Sequence, residues 1–197
     1  VQVARGGAIV VTTGKHTARA ATDKFVVKED TTSDKIWWGQ HNRPFSPDKF
    51  SGLLARLQAY WQGQDLFVQD CYAGADPEYR LPVRIVTEKA WQSFFARNML
   101  LPIDDREELR RHVPEFTVLA SPSFQSDPRI DSGRSETVIA LNFAERLAVI
   151  TGTAYAGEIK KTIFTVLNFL LPNEGVLSMH CSANVGKEGD VALFFGL

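Results

Sequence analysis

Segments patterned as strands and as helices follow one another along this chain without strict β-α-β alternation. That irregular order limits the fold more than any single motif does. It predicts an α/β domain with a mixed, α+β-like sheet rather than a clean doubly wound one. Gly7–Val11 and Lys24–Val27 read as strands, separated by a polar turn. Lys35–Phe45 reads as an irregular surface excursion with Trp37 and Trp38 as aromatic anchors. Ser46-Pro47-Asp48 is a helix start, with Ser46 as N-cap and Pro47 at the first helical position. Phe50, Leu53, Leu54, Leu57 and Trp61 then recur at helical spacing until Gly63 ends the run. Asp65–Tyr72, Leu81–Val86 and Glu115–Ala120 are strand-like, with helices expected over Lys89–Asn98 and Asp104–Arg111. Ser121–Glu136, rich in Ser, Asp, Pro and Gly, reads as a loop or exposed excursion. Thr137–Asn142 is patterned as a buried strand, Thr162–Leu171 as an apolar helix closed by Pro172, and Val191–Phe195 as a buried strand running into Gly196.

At 197 residues, 44% hydrophobic and 23% charged, the chain is long enough for a real core. One large domain, or one domain and the start of another, fits this length. A net charge of -1 gives no electrostatic case for nucleic acid or an anionic membrane, although a local basic site is compatible with it. No stretch approaches the roughly 18 consecutive apolar residues of a membrane span. Two cysteines, Cys71 and Cys181, are too few for a disulfide framework and point to a reducing cytoplasm. The chain opens in strand-like sequence without a methionine, and both ends are expected to be truncations. A monomer is the expected state.

Chemistry concentrates in two segments. Ala154-Tyr155-Ala156-Gly157-Glu158-Ile159-Lys160-Lys161 and Ser178-Met179-His180-Cys181-Ser182-Ala183-Asn184 place paired lysines and a lone histidine on opposite sides of an apolar stretch. Folding demands neither. An isolated His180 reads first as a core histidine bonded to backbone, and second as a ligand of a first-row metal. Paired lysines are most simply a solvated helix start. Desolvation and a like-charged neighbour would instead favour a neutral Lys161 amine with a lone pair to donate. Tyr155 reads as packing with one polar end, and Gly157 as a site of a tight turn or close ligand approach. Arg19 is either a surface turn arginine or a fork for a carboxylate. Arg80 and Arg84 are expected to pair with nearby acids, and Cys71 to be packing. Cys181 receives no catalytic role, and His16, His41 and His112 read as surface or turn residues.

Tyr155 to Lys161 and Ser178 to Asn184 closely resemble the ATP-dependent phosphoenolpyruvate carboxykinase family. The resemblance extends over nearly the whole chain. Asp30-Thr31-Thr32 with Trp37-Trp38, Tyr79-Arg80-Leu81 with Val83-Arg84, Thr87-Glu88 with Ala90-Trp91, and Asn98-Met99 all fit it. So does the run Gly189-Asp190-Val191-Ala192-Leu193-Phe194-Phe195-Gly196-Leu197, which in the family leads directly into a phosphate-binding loop. Several unrelated motifs in the correct order make the match specific.

The resemblance implies a gluconeogenic carboxy-lyase that converts oxaloacetate and ATP to phosphoenolpyruvate, ADP and carbon dioxide. It implies residues 1–175 as an N-terminal domain for oxaloacetate or phosphoenolpyruvate, and 176–197 as the beginning of a nucleotide-binding domain. Arg19, Tyr155 and Lys161 would bind substrate, with Arg19 and Lys161 catalytic. Lys161 and His180 would ligate Mn²⁺ or Mg²⁺, and Lys161, His180, Gly196 and Leu197 would adjoin ATP. One departure stands out. The family typically reads Gly-Arg-Ser-Pro-Lys-Asp-Lys where this chain has Ala18-Arg19-Ala20-Ala21-Thr22-Asp23-Lys24. The altered loop slightly favours a second reading, a non-catalytic substrate-binding or interaction domain. The GTP-dependent branch is a third, which the local motifs fit less well.

Overall fold

The computed structural model describes residues 1–196, and packing divides the chain into two units, Val1–Ile163 and Phe164–Leu197. The first unit opens with a small antiparallel ribbon of β1 (Gln2–Val3) and β2 (Ile9–Val10). Its body is an eight-stranded mixed sheet. In chain order the strands are β3 (Lys24–Val27), β4 (Arg43–Phe45), β5 (Phe67–Ala73), β6 (Leu81–Thr87), β7 (Leu101–Pro102), β8 (Phe116–Ser121), β9 (Val138–Asn142) and β10 (Leu147–Thr151). Their spatial order is β4-β3-β9-β10-β8-β6-β5-β7. Parallel pairs (β3 with β4 and β9, β8 with β6 and β10) alternate with antiparallel ones (β9 with β10, β5 with β6 and β7). The expected mixed α/β architecture is therefore the one observed.

Burial follows position in the sheet. Every residue of central β9 is buried, so the strand reads as an unbroken apolar run. In β6 burial alternates strictly, with Leu81, Val83, Ile85 and Thr87 inward. α1 (Pro47–Tyr60) covers one face: Phe50, Leu53 and Leu57 are each 0% exposed against Phe25, Phe45, Val138, Ala140 and Val149. Ser46 occupies the N-cap with extended backbone but makes no side-chain cap bond; its carbonyl accepts from the Phe50 N–H instead. α2 (Ala90–Met99) packs on β5, β6 and β7, and α3 (Arg106–Arg111) is capped by the Asp105 carboxylate, which accepts from the Glu108 N–H.

Several expectations change. Arg43–Phe45, expected within an irregular surface excursion, pairs with β3 as β4, and its Phe45 lies in the core. The stretch after Asn142 carries no expected element, yet Asn142 and Glu145 bond each other reciprocally to turn the chain into β10. Ser121–Glu136 is not wholly exposed: it holds a short helix, α4 (Pro128–Asp131), whose Asp131 is buried and paired with Arg56 of α1. Trp37 is 86% exposed and anchors nothing, whereas the half-buried Trp38 donates its ring N–H to the Ser33 carbonyl at 2.7 Å. The last helix, α5 (Gly157–Leu170), starts at Gly157 rather than Thr162, because Ala156, Ile159 and Ile163 already set its buried stripe.

The second unit contains the end of α5, a 3-10 turn at Leu171–Glu174 and an antiparallel hairpin of β11 (Ser182–Val185) and β12 (Val191–Phe194). β12 is patterned as a buried strand, but Val191, Leu193 and Phe194 are exposed, since one neighbouring strand cannot cover both faces. Among the described residues no helix is long and apolar enough to cross a membrane. Leu57→Ala is expected to destabilise the folded chain by about 2–5 kcal/mol, through lost apolar transfer and the cavity left behind. A urea titration measures it, and a loss below about 1 kcal/mol would contradict the packing of α1 on the sheet.

Candidate active site

Sheet register decides which distant segments meet. β3 runs parallel to β9, and β9 runs antiparallel to β10, so Lys24 lies opposite Ile139 and Ile139 opposite Ile150. The amino end of β3 therefore shares one edge of the sheet with the carboxyl end of β10. Arg19 sits in the loop that enters β3 through a 3-10 turn, Ala21–Asp23, closed by the Asp23 N–H donating to the Ala20 carbonyl at 2.9 Å. Tyr155 belongs to the connection from β10 into α5, and Glu158, Lys160 and Lys161 to the first turns of that helix. Loops at the carboxyl ends of strands, feeding a helix N-terminus, are where open sheets present ligand-binding groups.

One bond ties the two loops together, and others tie the Arg19 loop to the residues that enter β9. The Ala20 N–H donates to Glu158 Oε1 at 2.5 Å, with both residues buried. Lys15 pairs with Glu136, and Ser135 Oγ donates to Asp23 Oδ1 at 3.1 Å. His16 Nε2 lies 2.9 Å from Thr137 Oγ1, whose own hydroxyl donates to the Gly152 carbonyl at 3.1 Å. That hydroxyl's proton is committed, so His16 Nε2 is the donor. His16 is thus a half-buried brace of the loop, not the surface or turn residue expected.

Arg19 is exposed, and its charge reaches Lys24, Glu158 and Lys161. Burial lowers the Lys161 amine from its usual range, and the Arg19 guanidinium and Lys160 ammonium add to the shift. Lys24 is lowered by burial and Arg19, with Glu158 opposing. Glu158 is raised, because its burial outweighs the Ala20 N–H, Arg19 and Lys24, and Asp23 adds repulsion. Cations that outnumber the buried carboxylates of Glu158 and Asp23 suit a polyanionic ligand. Tyr155 is half-buried and its ring lies over Gly157: a Cβ on Gly157 would stand 2.4 Å from Tyr155 Cε1. What lies close to Gly157 here is a neighbouring side chain, whereas the expectation was a ligand or a tight turn.

The second unit holds the remaining candidates. His180 is exposed, with its ring 5.6 Å from that of Phe164; Gly196 is exposed, and Leu197 lies outside the described residues. Among the described residues, no three His, Cys, Asp or Glu side chains gather as metal ligands. Elsewhere, Arg84 grips Asp70 with two bonds of 2.7 Å, and Arg80 stacks on Tyr72 and pairs with Glu108. Both arginines are engaged with neighbours, as expected. The His112 side chain is only 1% exposed, edge-on to Tyr72, which corrects its reading as a surface residue. Burial pushes the Cys71 thiol up to about 12, consistent with packing. A cavity of about 440 Å³ lined by Gly7, Ile9, Val11, Trp91, Phe94, Phe95 and Asn98 shares no residue with the Arg19–Lys161 convergence, and its apolar lining lacks the groups to bind anions.

Glu158 is the residue that sequence reasoning missed. It lies inside the Tyr155–Lys161 motif without an expected role, and its only local signal is an acid placed just before two lysines at a helix start. Removing either cation beside Lys161 should let its amine recover. Arg19→Ala is expected to raise the Lys161 titration more than Lys160→Ala does, because Arg19 is the stronger of the two influences. NMR of ¹³C-methylated lysines reads this directly, and a downward movement in either variant contradicts the arrangement.

A family model described as phosphoenolpyruvate carboxykinase, of the ATP type, matches residues 1–197. Curated relatives agree. The "Phosphoenolpyruvate carboxykinase (ATP)" of Geobacter sp. (strain M21) is 58% identical over 191 residues, 97% of this chain and 36% of that protein. Its namesake in Geotalea uraniireducens (strain Rf4) is 58% identical over 192 residues, with 97% and 36% covered. That in Thermus thermophilus is 52% identical over 198 residues, with 99% and 37% covered. The chain thus spans little more than a third of the length of these relatives. With its whole length matched by the family model and identities above 50%, the chain belongs to the ATP-type phosphoenolpyruvate carboxykinase family.

Proposed function

We propose that the full-length protein carrying these residues is a cytoplasmic, ATP-dependent phosphoenolpyruvate carboxykinase of gluconeogenesis. In this reading residues 1–175 serve oxaloacetate and 176–197 begin the nucleotide-binding part. The observation that carries it is the meeting of Arg19 and Lys161 on one edge of the sheet, close enough for the guanidinium to depress the amine.

The reaction asks two things of the protein. When the C–C bond to the departing carboxylate breaks, its electron pair moves into an enolate. That enolate oxygen then attacks the γ-phosphorus of ATP, and ADP leaves with the electrons of the broken P–O bond. Arg19 fits the substrate carboxylate, because a guanidinium makes two parallel N–H···O bonds and keeps its charge at any working pH. Lys161, shifted towards its neutral form by burial, Arg19 and Lys160, offers either a hydrogen bond to the developing enolate or a lone pair to a cation. Tyr155, whose ring lies over Gly157, would offer its hydroxyl to the same substrate.

The donor chemistry suits a borderline divalent ion: the amine of Lys161 tends towards neutrality, and His180 presents an exposed imidazole. Mn²⁺ or Mg²⁺ held by these residues would supply Lewis-acid stabilisation of negative charge. The nucleotide phosphates would adjoin Lys161, His180, Gly196 and Leu197. Oxaloacetate, phosphoenolpyruvate, carbon dioxide and ATP are thus the partners, and the protein acts as a monomer.

In the full-length protein, Arg19→Ala should raise the oxaloacetate KM by about 10- to 100-fold, the scale of a charged hydrogen-bonded contact. Lys161→Ala should chiefly lower kcat, by about 100-fold or more. Unchanged kinetics in both would overturn the reading. The 197 residues alone contain no Gly-x-x-x-x-Gly-Lys-Ser/Thr phosphate loop and are expected not to turn over. ATP-dependent release of carbon dioxide by that segment in isolation would contradict this.

A further inference from the structure

We propose that Glu158 is a positioning residue for oxaloacetate binding, its buried carboxylate holding the Arg19 loop by the Ala20 amide against the first turn of α5. The proposal rests on the carboxykinase reading above and adds to it a residue with no assigned role. Its argument is geometric.

Arg19 is exposed and lies on a loop whose alanines at 18, 20 and 21 add no side-chain hydrogen bonds of their own. Its neighbour Ala20 is buried, and the Ala20 N–H has one destination, Glu158 Oε1 at 2.5 Å. Glu158 stands in the first turn of α5, where helical amides favour a negative charge, and Lys161 follows one turn later on the same side. One carboxylate thus links the backbone beside Arg19 to the helix that carries Lys161. Without it the Arg19 loop would keep its bonds to Glu136, Ser135 and Thr137 but lose this bond to the helix that carries Lys161.

The same carboxylate has a second task. Arg19 and Lys24 face it from the loop and from β3, with Asp23 as the opposing acid on the 3-10 turn. A carboxylate among these cations limits their mutual repulsion before substrate arrives. An amide at this position would still accept the Ala20 hydrogen bond but would carry no charge. The two tasks can therefore be separated by substitution.

The test uses the full-length protein and compares wild type with Glu158→Ala, Glu158→Gln and Glu158→Asp. Glu158→Ala is expected to raise the oxaloacetate KM by about tenfold, while the ATP KM stays within about twofold. Glu158→Gln, which keeps the acceptor in place, should bring the oxaloacetate KM back to within about threefold of wild type. Glu158→Asp, one methylene short of Ala20, should resemble Glu158→Ala. The double variant Arg19→Ala/Glu158→Ala should be no worse than Arg19→Ala alone, since Glu158 acts through Arg19. A merely structural role would move both KM values together and would add to Arg19→Ala, and either result overturns the proposal. If Glu158→Ala does not fold, the contrast between Gln and Asp decides: equal oxaloacetate KM values for those two also overturn it. If Arg19→Ala itself leaves the oxaloacetate KM unchanged, the functional reading fails; if Arg19→Ala raises it while Glu158→Ala and Glu158→Asp do not, only the role of Glu158 fails.

Discussion

The antiparallel joint between β9 and β10 governs the site. Most of the central sheet pairs in parallel, so strands there start at one edge and finish at the other. Reversal at β9 and β10 brings the start of β3 level with the finish of β10, with Lys24, Ile139 and Ile150 in one row. Two loops from opposite ends of the sequence then share an edge without either having to be long. The turn that makes the reversal is short and closed by Asn142 and Glu145 through reciprocal bonds. A slip of one residue would turn every buried side chain of β9 or β10 to the opposite face. Burial on both faces of these strands resists that slip, and the site inherits its geometry from this resistance.

The electrostatics follow from what the joint brings together. Arg19 and Lys24 gather near the Glu158 carboxylate, with Asp23 beside it and Lys160 and Lys161 following on α5, and burial together with mutual repulsion depresses Lys24 and Lys161. Such an arrangement costs stability in the empty protein and is relieved by an anion, which is a reason to read it as a binding site. It also explains why the network of neutral and charged bonds around the Arg19 loop is dense. Glu136, Thr137, Ser135 and Glu158 each hold part of a loop that its own alanines leave undetermined.

Much of this was legible from residue order. The helix from Pro47, with Phe50, Leu53 and Leu57 inward, followed from a helix-start pattern and a 3.6-residue period. Strict alternation in β6 announced a half-buried strand, and the engagement of Arg84 with Asp70 followed from ordinary charge chemistry. Family motifs spread along the chain marked the candidates Arg19, Tyr155, Lys161 and His180. What escaped was non-local. β10 was overlooked because Leu147–Thr151 is a short apolar run with no period of its own. Asp131 and His112 looked like surface residues because their flanks are polar, and tertiary packing buried both side chains.

The amino-acid sequence by itself determined the class of fold, the main helices and strands, and the membership of the family, because periodicity, turn residues and ordered motifs are local properties. Tertiary structure alone decided that the Ala20 amide meets Glu158, that His16 braces Thr137, and that Arg19 lies close enough to Lys161 to act on its charge. The reason is the same in each case. A strand pattern states which face wants cover, but which residue supplies that cover depends on register with a strand far away in the chain.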